Sequence, residues 1–530
     1  MQELTFNRIN KLLEKAKAAR APHEAEIREA YQYTLPEREF LKNPESPADR
    51  VSIYDTTAVD AVQNLVTNAQ RLLIPQAQPW ASIVWQNDIL KSRFGTKYAK
   101  RLKQANTKLF QHFSKSNFHL SVGEALSDGV VCGTFAIQIM DEIGQPLEYL
   151  AVPIDQLLVL ENDKGHIDTV FREHRMKAAD VIRRFSDTAP KEVFEAVDQH
   201  SDKTFQILEA VIPCGCNDFI YSVWIKDSKT KLLETKTALS PFIVARWKKV
   251  TGNVWGSSPT RSALGAIRVV NAIECDVLTY GNFVAQGLWQ TQEANINVDV
   301  LRKQLVPGAI IPTTDEIKPI QFTGSFQFNF EMANQAREQI RRLLHDTRPP
   351  SDKVSAYGTD QVISWFREEF MRAVGEPALR LSQEFLMPLA DQVFKRLALR
   401  GEINVLTPQE VMLETNGEAD NQRELMTIDV NAAIARVLKM QEAQNGLNAL
   451  AQGIKAYGPQ AVASVVKLDE HMRDTLVNLG LDESYLRSEA ETKKIREDDA
   501  AMQQQKLLAE SLASGKLDPT LLQGAVPQVQ

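Results

Sequence analysis

The sequence has no long apolar run and no apolar core of a signal peptide near its amino end. No stretch approaches the roughly 18 uninterrupted apolar residues of a membrane-spanning helix, so we expect no membrane insertion. The first twenty residues, MQELTFNRINKLLEKAKAAR, instead begin a polar, charged helix. We therefore expect a protein that is made and assembled in the cytosol.

Cysteine is also scarce, and basic residues are not in excess. The four cysteines, Cys132, Cys214, Cys216 and Cys275, have neither zinc-finger spacing nor the density of a secreted disulfide scaffold, so they predict reduced structural thiols and no metal site. The 61 lysines and arginines against 68 acidic residues give a formal net charge of −7. This balance argues against a protein that grips nucleic acid through a broad basic surface, although DNA could still slide past it.

The residue patterns of known catalytic sites are absent as well. The sequence has no phosphate-binding G-x-x-x-x-G-K-[ST], no H-E-x-x-H and no G-x-S-x-G. The two glycines of GVVCGTF at 129–135 lack the third glycine of a dinucleotide site. His112 and His119 are interpreted as surface or core-edge residues, and His174 as a strand residue in a salt-linked edge. We expect no catalytic residue, no cofactor and no enzyme activity.

A chain of 530 residues exceeds one ordinary hydrophobic core, so several subdomains are expected. Helical spacing of apolar residues predicts helices over 3–35, 57–74 and about 93–117. From 119 to 255, short apolar alternations bounded by Gly, Pro, Asp and Asn predict strands of a compact α+β region with one inserted helix near 176–198.

The second half is predicted to be mainly helical, with two irregular interruptions. Ser258 as a cap and Pro259 at the first position open a helix to about 290, and a second helix covers 327–346. Residues 291–325 are predicted to be irregular or β, and the prolines within 347–358 exclude regular structure there. A helix kinked at Gly375–Pro377 and Pro388 follows, then a capping box at Thr407–Glu410 and helices from about 421 to 497.

The helix at 259–290 carries apolar residues on more than one stripe. This pattern is typical of a helix that contacts both its own subunit and a neighbouring one, and the alternative is a buried core helix. The candidate subunit-interface residues are Leu264, Ile267, Val270, Ile273 and Val277.

Several stretches resemble the head-to-tail connector, or portal, family of short-tailed bacteriophages, in an order that covers about 25 to 497. They are YDTTAVDAVQNLVTNAQRLLIPQAQPWASI at 54–83, GNVWGSSPTRSALGAIRVVNAIE at 252–274, PGAIIPTTDEIKPIQF at 307–322, RPPSDKVSAYGTDQVISWFREEF at 348–370 and RLSQEFLMPLADQVFKRL at 380–397. The chain departs from the family at 357–361, where YGTDQ stands in place of a frequent Thr-Ala-x-Glu pattern.

The resemblance implies a mainly α fold with an α+β wing, the portal fold, assembled as wedges of a twelve-membered ring. The implied parts are a wing at 1–255, stem helices at 256–290 and 327–346, a clip at 291–326, a channel loop at 347–358, a kinked wing helix at 359–404, a helical crown at 405–497 and a polar, flexible tail at 498–530.

The function implied by the resemblance is a ring at one capsid vertex through which double-stranded DNA is packaged and ejected. The implied protein partners are further copies of the chain, the major capsid and scaffolding proteins, tail adaptor and tail-tube proteins and, transiently, the terminase large subunit. Double-stranded DNA is the further implied partner, bound without sequence specificity. The ring would be assembled in the host cytoplasm and reside in the virion. The alternative is a helical cytosolic scaffold or adaptor protein without a DNA channel.

The implied parts give two further sets of candidate residues. Arg348 and Lys353 lie in the proline-bounded loop and are candidates for DNA contacts in the channel; the alternative is that they are ordinary solvent-facing loop charges. The candidates for docking partners at the clip are Val298, Val300, Arg302, Lys303, Ile310 and Ile311.

Overall fold

The computed structural model of the chain describes most of the first 286 residues and several segments after them. The described residues are 5–38, 51–76, 79–142, 144–199, 202–215, 218–286, 289–290, 318–319, 326–346, 375–415, 425–430, 446–478, 491, 492, 495 and 502. The chain divides into two compact units, Met1–Ala433 and Ile434–Gln530. Its architecture is mainly α with an α+β region, as predicted.

Four helices occupy most of the first 132 residues. They are α1 at Phe6–Thr34, α2 at Thr57–Leu73, α3 at Asp88–Lys115 and α4 at Phe118–Cys132. The first three confirm the predicted helices. Helix α4 was missed, and the predicted α+β region began at 119 instead. Polar Ser121 and Asp128 are buried in this helix while apolar Leu120 is 75% exposed, so its apolar residues do not mark a single face.

A five-stranded antiparallel sheet forms the centre of the α+β region. Its strands follow the order β4 Leu157–Glu161, β5 Ile167–Lys177, β6 Thr204–Pro213, β7 Phe219–Ile225 and β8 Thr230–Thr237. Helix α1 packs Ile9, Leu13 and Ala16 against one face of this sheet. Helices α5 at Ala178–Phe185 and α6 at Lys191–Asp198 cover the other face. One helix was predicted at 176–198; there are two, because Pro190 interrupts the backbone hydrogen bonding between them.

Two smaller sheets complete the first unit's core. Strand β2 at Thr134–Met140 pairs with β3 at Glu148–Val152 and with β9 at Phe242–Arg246. Strand β1 at Ser82–Trp85 pairs with β12 at Met426–Asp429. The prediction of helix from about 421 is wrong at β12. This strand is formed by a partner more than 300 residues away, which local spacing cannot indicate.

Helices dominate the remainder of the described chain. They are α7 at Pro259–Gln286, α8 at Phe326–Leu343, α9 at Met387–Leu399, α10 at Pro408–Thr415, and in the second unit α11 at Pro459–Val465 and α12 at Leu468–Asn478. Residues 375–381 are also helical and lead into a π-helical turn at Ser382–Leu386. The turn lies just before Pro388, which has no backbone N–H to continue the hydrogen-bond ladder. Val405 and Leu406, at the start of the predicted crown, are buried in the first unit. Met426 and Ile428 of β12 are buried there as well.

Among the helices of the part described here, none is long and apolar enough to cross a membrane.

Candidate functional site at the paired helices

Helix α7 begins directly at the carboxyl end of α4. The Ser258 hydroxyl accepts a hydrogen bond from the Arg261 backbone N–H at 2.9 Å and donates to the Val131 carbonyl at 2.8 Å. The Thr260 hydroxyl donates to the Val130 carbonyl at 3.0 Å. Carbonyls at the end of α4 that have no partner within that helix are thus satisfied by the start of α7. The predicted cap and first-position proline are confirmed.

Two glycines allow this junction to form. Gly133 ends α4 with a φ of 93°, and a Cβ placed there would lie 2.6 Å from the Gly256 carbonyl oxygen. A Cβ on Gly256 would in turn lie 2.1 Å from the Gly133 carbonyl oxygen. The two backbones approach so closely that neither position has room for a side chain.

The amino-terminal half of α7 buries one face within its own subunit, whereas the following turns are less covered. Leu264, Ile267 and Val270 are buried in the subunit, and Ile273 and Val277 are half-buried. The core-helix interpretation therefore describes the first three candidates in the isolated subunit. Contact of any of the five with a neighbouring subunit stays a prediction.

Exposed apolar side chains occur on both α7 and α8. On α7, Val269 is 44% exposed and Leu278 is 53% exposed; on α8, Phe330 is 60% exposed. The face of α8 toward the core carries Ala333, Ala336, Ile340 and, just beyond the helix, Leu344. Met332 lies four residues before Ala336, a spacing that predicts it on the same face, but its side chain is 39% exposed. Its neighbour Ala333 is buried in its place, because the smaller side chain fits the close packing of α8 on α7.

Ion pairs fasten α7 to α1. The guanidinium groups of Arg261 and Arg268 pair with the carboxylates of Glu26 and Glu29, respectively. The two arginines are seven residues apart and so lie on one face of α7, while the two glutamates are neighbours along α1. The hydrogen bond from Arg261 lowers the pKa of Glu26 below its ordinary value. The pairs fix where the first three turns of α7 lie against α1.

Arg337 joins α8 both to α7 and to the segment before α2. Its Nε donates to Asp55 Oδ2 at 2.8 Å, and its Nη2 donates to Glu274 of α7. Burial alone would raise the pKa of Asp55, but hydrogen bonds from Thr57 and Arg337 outweigh it and lower that pKa below its ordinary value. One guanidinium thus holds two helices and a loop together.

Asn271 adds a neutral contact at the same level of α7. Its side-chain amide donates to the Ser52 carbonyl at 3.0 Å and accepts from the Tyr54 backbone N–H at 2.7 Å. The asparagine thus pairs with one backbone N–H and one backbone carbonyl of the adjacent segment. It holds that segment in place without adding a charge. The helix pair is therefore braced by α1, by 52–55 and by α2, which also contacts α8.

Beyond the pair, the chain forms a short two-stranded ribbon. Strand β10 at Trp289–Gln290 is antiparallel to β11 at Lys318–Pro319. This is consistent with the β or irregular structure predicted between the two helices. The clip candidates Val298, Val300, Arg302, Lys303, Ile310 and Ile311 lie outside the described residues, and so do the channel candidates Arg348 and Lys353.

A buried ion pair that was not predicted from the sequence ties the π-helical turn at Ser382–Leu386 to the α+β region. Arg246, at the end of β9, donates through Nη2 to Glu384 Oε1 at 2.9 Å and through Nε to Glu384 Oε2 at 3.2 Å. Arg380 donates to the same carboxylate at 2.9 Å. Burial would raise the pKa of Glu384, yet the hydrogen bonds and charge of Arg246, with those of Arg380, lower it. No local pattern joins residues this far apart in the chain.

The histidines singled out in the sequence have structural partners. His112 lies 2.9 Å from the Tyr149 hydroxyl, and burial lowers its pKa to about 4. His174 lies 3.7 Å from Glu209, and burial with nearby Arg172 lowers its pKa to about 4. His174 is a strand residue, as predicted: it pairs with Ile207 of β6, whereas β4 pairs with 167–172 of β5 and does not reach it.

The residues that the structure covers contain no group of three or more His, Cys, Asp or Glu side chains that could hold a metal ion. Cys132, Cys214 and Cys275, the three cysteines described, are thiols. Burial raises the pKa of Cys132 to about 12, so its reactive thiolate form is disfavoured. The main feature of the described chain is therefore structural: helices α7 and α8, held in place by ion pairs, lead into a two-stranded β-ribbon.

Comparison with known proteins gives a family and two relatives. Residues 7–486 match the family described as "Bacteriophage head to tail connecting protein". The chain is 20% identical over 487 residues to the "Probable portal protein" of Bordetella phage BPP-1, covering 86% of this chain and 83% of that protein. It is 21% identical over 442 residues to the "Portal protein" of Salmonella phage epsilon15, covering 75% of each chain.

Proposed function

The chain belongs to the family of bacteriophage head to tail connecting proteins and is a portal-type connector, from which we propose that twelve copies close into a ring at one capsid vertex. Double-stranded DNA is packaged into the head through this ring and later ejected through it. The protein is then a virion component assembled in the host cytoplasm, and its role is structural and not enzymatic.

The observation that carries the proposal is the braced helix pair. Helices α7 and α8 are fixed at their wing end by Arg261, Arg268 and Arg337, and they lead into a β-ribbon at the other end. Past Asn271, the described side chains of α7 up to 282 are half-buried or exposed, and Leu278 is 53% exposed. A heterologous contact between neighbouring copies, repeated around an axis, would cover such surface and close a ring.

In this assembly the helix pair is the stem and the segment between its helices is the clip. We propose that Val298, Val300, Arg302, Lys303, Ile310 and Ile311 of the clip contact the terminase during packaging and tail adaptor or tail-tube proteins afterwards. The wing would contact the major capsid and scaffolding proteins. ATP hydrolysis then comes from the docked motor, so the purified connector is expected to have no ATPase activity.

The net negative charge of the proposed ring favours passage of DNA over its retention. Each chain carries a formal charge of −7, so twelve copies carry −84, which disfavours wrapping of DNA on the lumen as a whole. Rings of Arg348 and Lys353 would then give local contacts to phosphates without reading sequence. The variant Arg348→Ala with Lys353→Ala should assemble and yet retain packaged DNA less well; unchanged packaging and retention would contradict this role.

Native mass spectrometry and negative-stain images of the purified protein test the ring itself. The expected result is a discrete species near 12 × 59.6 kDa with a central hole in end views. A monomer at all salt and protein concentrations, also when co-expressed with capsid and scaffolding proteins, would contradict the proposal. It would favour a helical adaptor without a channel, which has no reason to adopt a fixed stoichiometry.

A further inference from the structure

Helix α4 contains an aspartate, Asp128, that the subunit buries completely. Its Oδ1 accepts a hydrogen bond from the Tyr31 hydroxyl of α1 at 2.6 Å and forms an ion pair with Nη1 of Arg38. Its Oδ2 is buried and has no hydrogen-bond partner within the described part of the chain. Buried carboxylates usually have partners for both oxygens, so a half-satisfied one requires an explanation.

The surroundings of Asp128 favour the neutral form of its carboxyl group. Its neighbours on the same face of α4, three or four residues away, are Ala125, Val131 and Cys132, and all three are buried. Moving a carboxylate from water into such surroundings is far less favourable than moving the protonated acid there. Without a nearby cation, the buried group would therefore hold a proton at neutral pH.

Arg38 supplies a cation from the edge of the subunit. It follows α1 in a turn closed by a hydrogen bond from its own N–H to the Leu35 carbonyl at 2.9 Å, and its side chain is 32% exposed. The other groups that act on Asp128 do not stabilise its charge in the same way. Asp155, between β3 and β4, has the same sign, and Tyr31 is neutral because burial raises its pKa well above the ordinary value.

The balance between burial and Arg38 leaves Asp128 close to its titration point at neutral pH. Arg261 of α7, the helix that begins at the end of α4, pairs with Glu26 of α1, and Cys132 stays a neutral thiol. Burial outweighs the attraction of Arg38 and raises the pKa of Asp128 to about 7. Both the ionised and the protonated carboxyl are therefore populated near pH 7.

We propose that the contact between Asp128 and Arg38 is a pH-sensitive switch: the ionised carboxylate holds the turn after α1 against α4, and protonation releases this turn. A neutral carboxyl group still accepts the hydrogen bond from Tyr31, but it no longer attracts the guanidinium, which is free to move into solvent. Helix α1 itself stays in place, because ion pairs hold it to α7. The change is confined to residues 35–38, and it does not depend on assembly of the proposed ring.

Hydrogen exchange of the full-length protein tests the switch at the Arg38 amide. Exchange is followed by mass spectrometry at pH 6, 7 and 8 and corrected for the intrinsic effect of pH on amide exchange. The ionised fraction of an acid with a pKa of about 7 rises roughly ninefold between pH 6 and pH 8, so protection of this turn in the wild type should rise by up to that factor.

Two variants bracket this result. Asp128→Asn replaces the carboxyl by a neutral group of the same shape, so the turn should show the weaker protection at all three pH values. The matched control is Glu124→Gln, at an exposed carboxylate one turn earlier on α4, which should behave like the wild type.

A third variant and a second measurement keep the test decisive if Asp128→Asn folds poorly. Arg38→Gln removes the guanidinium and should abolish the pH dependence of protection at 35–38. The folded acid holds a proton between about pH 4 and pH 7 that the unfolded acid, with a pKa of about 3.9, has released, so ionisation lowers stability as pH rises through this window. The denaturant midpoint of Asp128→Asn relative to the wild type should therefore rise from pH 5 to pH 7 and level off by pH 8.

Equal protection of residues 35–38 at pH 6 and pH 8 in the wild type would overturn the proposal. A pH dependence that persists in Asp128→Asn or in Arg38→Gln would overturn it as well, because another group would then be responsible.

Discussion

Arg246 and Glu384 form a two-pronged, buried ion pair between β9 and the π-helical turn that precedes α9. The arginine side chain is 2% exposed and the glutamate 16% exposed, and the Arg246 backbone N–H also donates to Glu384 at 3.1 Å. Glu384 lies within the π-helical turn at Ser382–Leu386, so the pair holds this turn to the α+β region.

Glu384→Gln should therefore destabilise the first unit by about 2 kcal/mol, since it removes the charged acceptor that Arg246 and Arg380 share, while Glu161, at 3.3 Å, still pairs with Arg246. Denaturant unfolding followed by tryptophan fluorescence measures this loss. The matched control is Glu376→Gln, whose carboxylate is 67% exposed and lies 3.9 Å from Lys248. The control should cost no more than about 0.5 kcal/mol. Equal losses of unfolding free energy in the two variants would show that the buried pair contributes no more stability than the exposed one.

The same pair predicts a dependence of stability on pH. The pKa of Glu384 is lowered in the folded state, so its contribution is present above the ordinary glutamate pKa of about 4.3 and is lost as pH falls through the folded value. The difference in unfolding free energy between the wild type and Glu384→Gln should hence be largest near pH 7 and shrink below about pH 4. Unfolding curves at pH 7, 5 and 3.5 measure it; a difference that grows in acid would contradict the assignment.

Asp55 should be similarly important for the helix pair. Its side chain is 6% exposed and accepts from Arg337, so Asp55→Asn weakens the link between α8 and the segment before α2. We expect faster amide hydrogen exchange in α8 and a loss of about 2 kcal/mol, in the range measured for hydrogen bonds to charged groups. Glu338→Gln, at a carboxylate that is 74% exposed on α8, should change neither. Unaltered exchange in Asp55→Asn would exclude a bracing role.

The junction of α4 and α7 can be tested with two glycines of the same backbone type. Gly133 and Gly252 both have positive φ, 93° and 86°, but only Gly133 has backbone atoms against the position of an added Cβ. Gly252→Ala should cost about 1 kcal/mol from backbone strain alone. Gly133→Ala adds a clash with Gly256 and should cost clearly more or prevent folding. Thermal unfolding compares them, and similar midpoints would mean that the close approach is readily relaxed.

The parts of the fold that could be predicted are those whose cause is local. Ser258 with Pro259, and Thr407 with Glu410, are short patterns whose hydrogen bonds join residues three apart, and both are present as predicted. Helix α4 was missed because its buried residues include polar ones and its exposed ones include Leu120, and β12 was missed because its partner is remote in sequence.

The site was predictable only in outline. Apolar positions such as Leu264 and Ile267 indicated a helix covered on several sides, but an apolar pattern does not tell which molecule provides the cover. In the subunit, α1 and α4 contact α7, and these residues are buried. The carboxylates that pair with Arg261, Arg268 and Arg337 come from other segments, so no spacing within α7 or α8 could indicate them.

The exposed side chains of α7 give the sharpest prediction for the proposed ring. Val269 and Leu278 are exposed in the subunit, so Val269→Lys and Leu278→Lys should each change its stability by no more than about 0.5 kcal/mol. If neighbouring copies cover these positions, each variant buries an unpaired charge on assembly and should shift the native mass from the ring to smaller species. Leu120→Lys is the control, because Leu120 is 75% exposed on α4, outside the helix pair. Rings that persist in both α7 variants would place the subunit interface elsewhere and remove α7 from it.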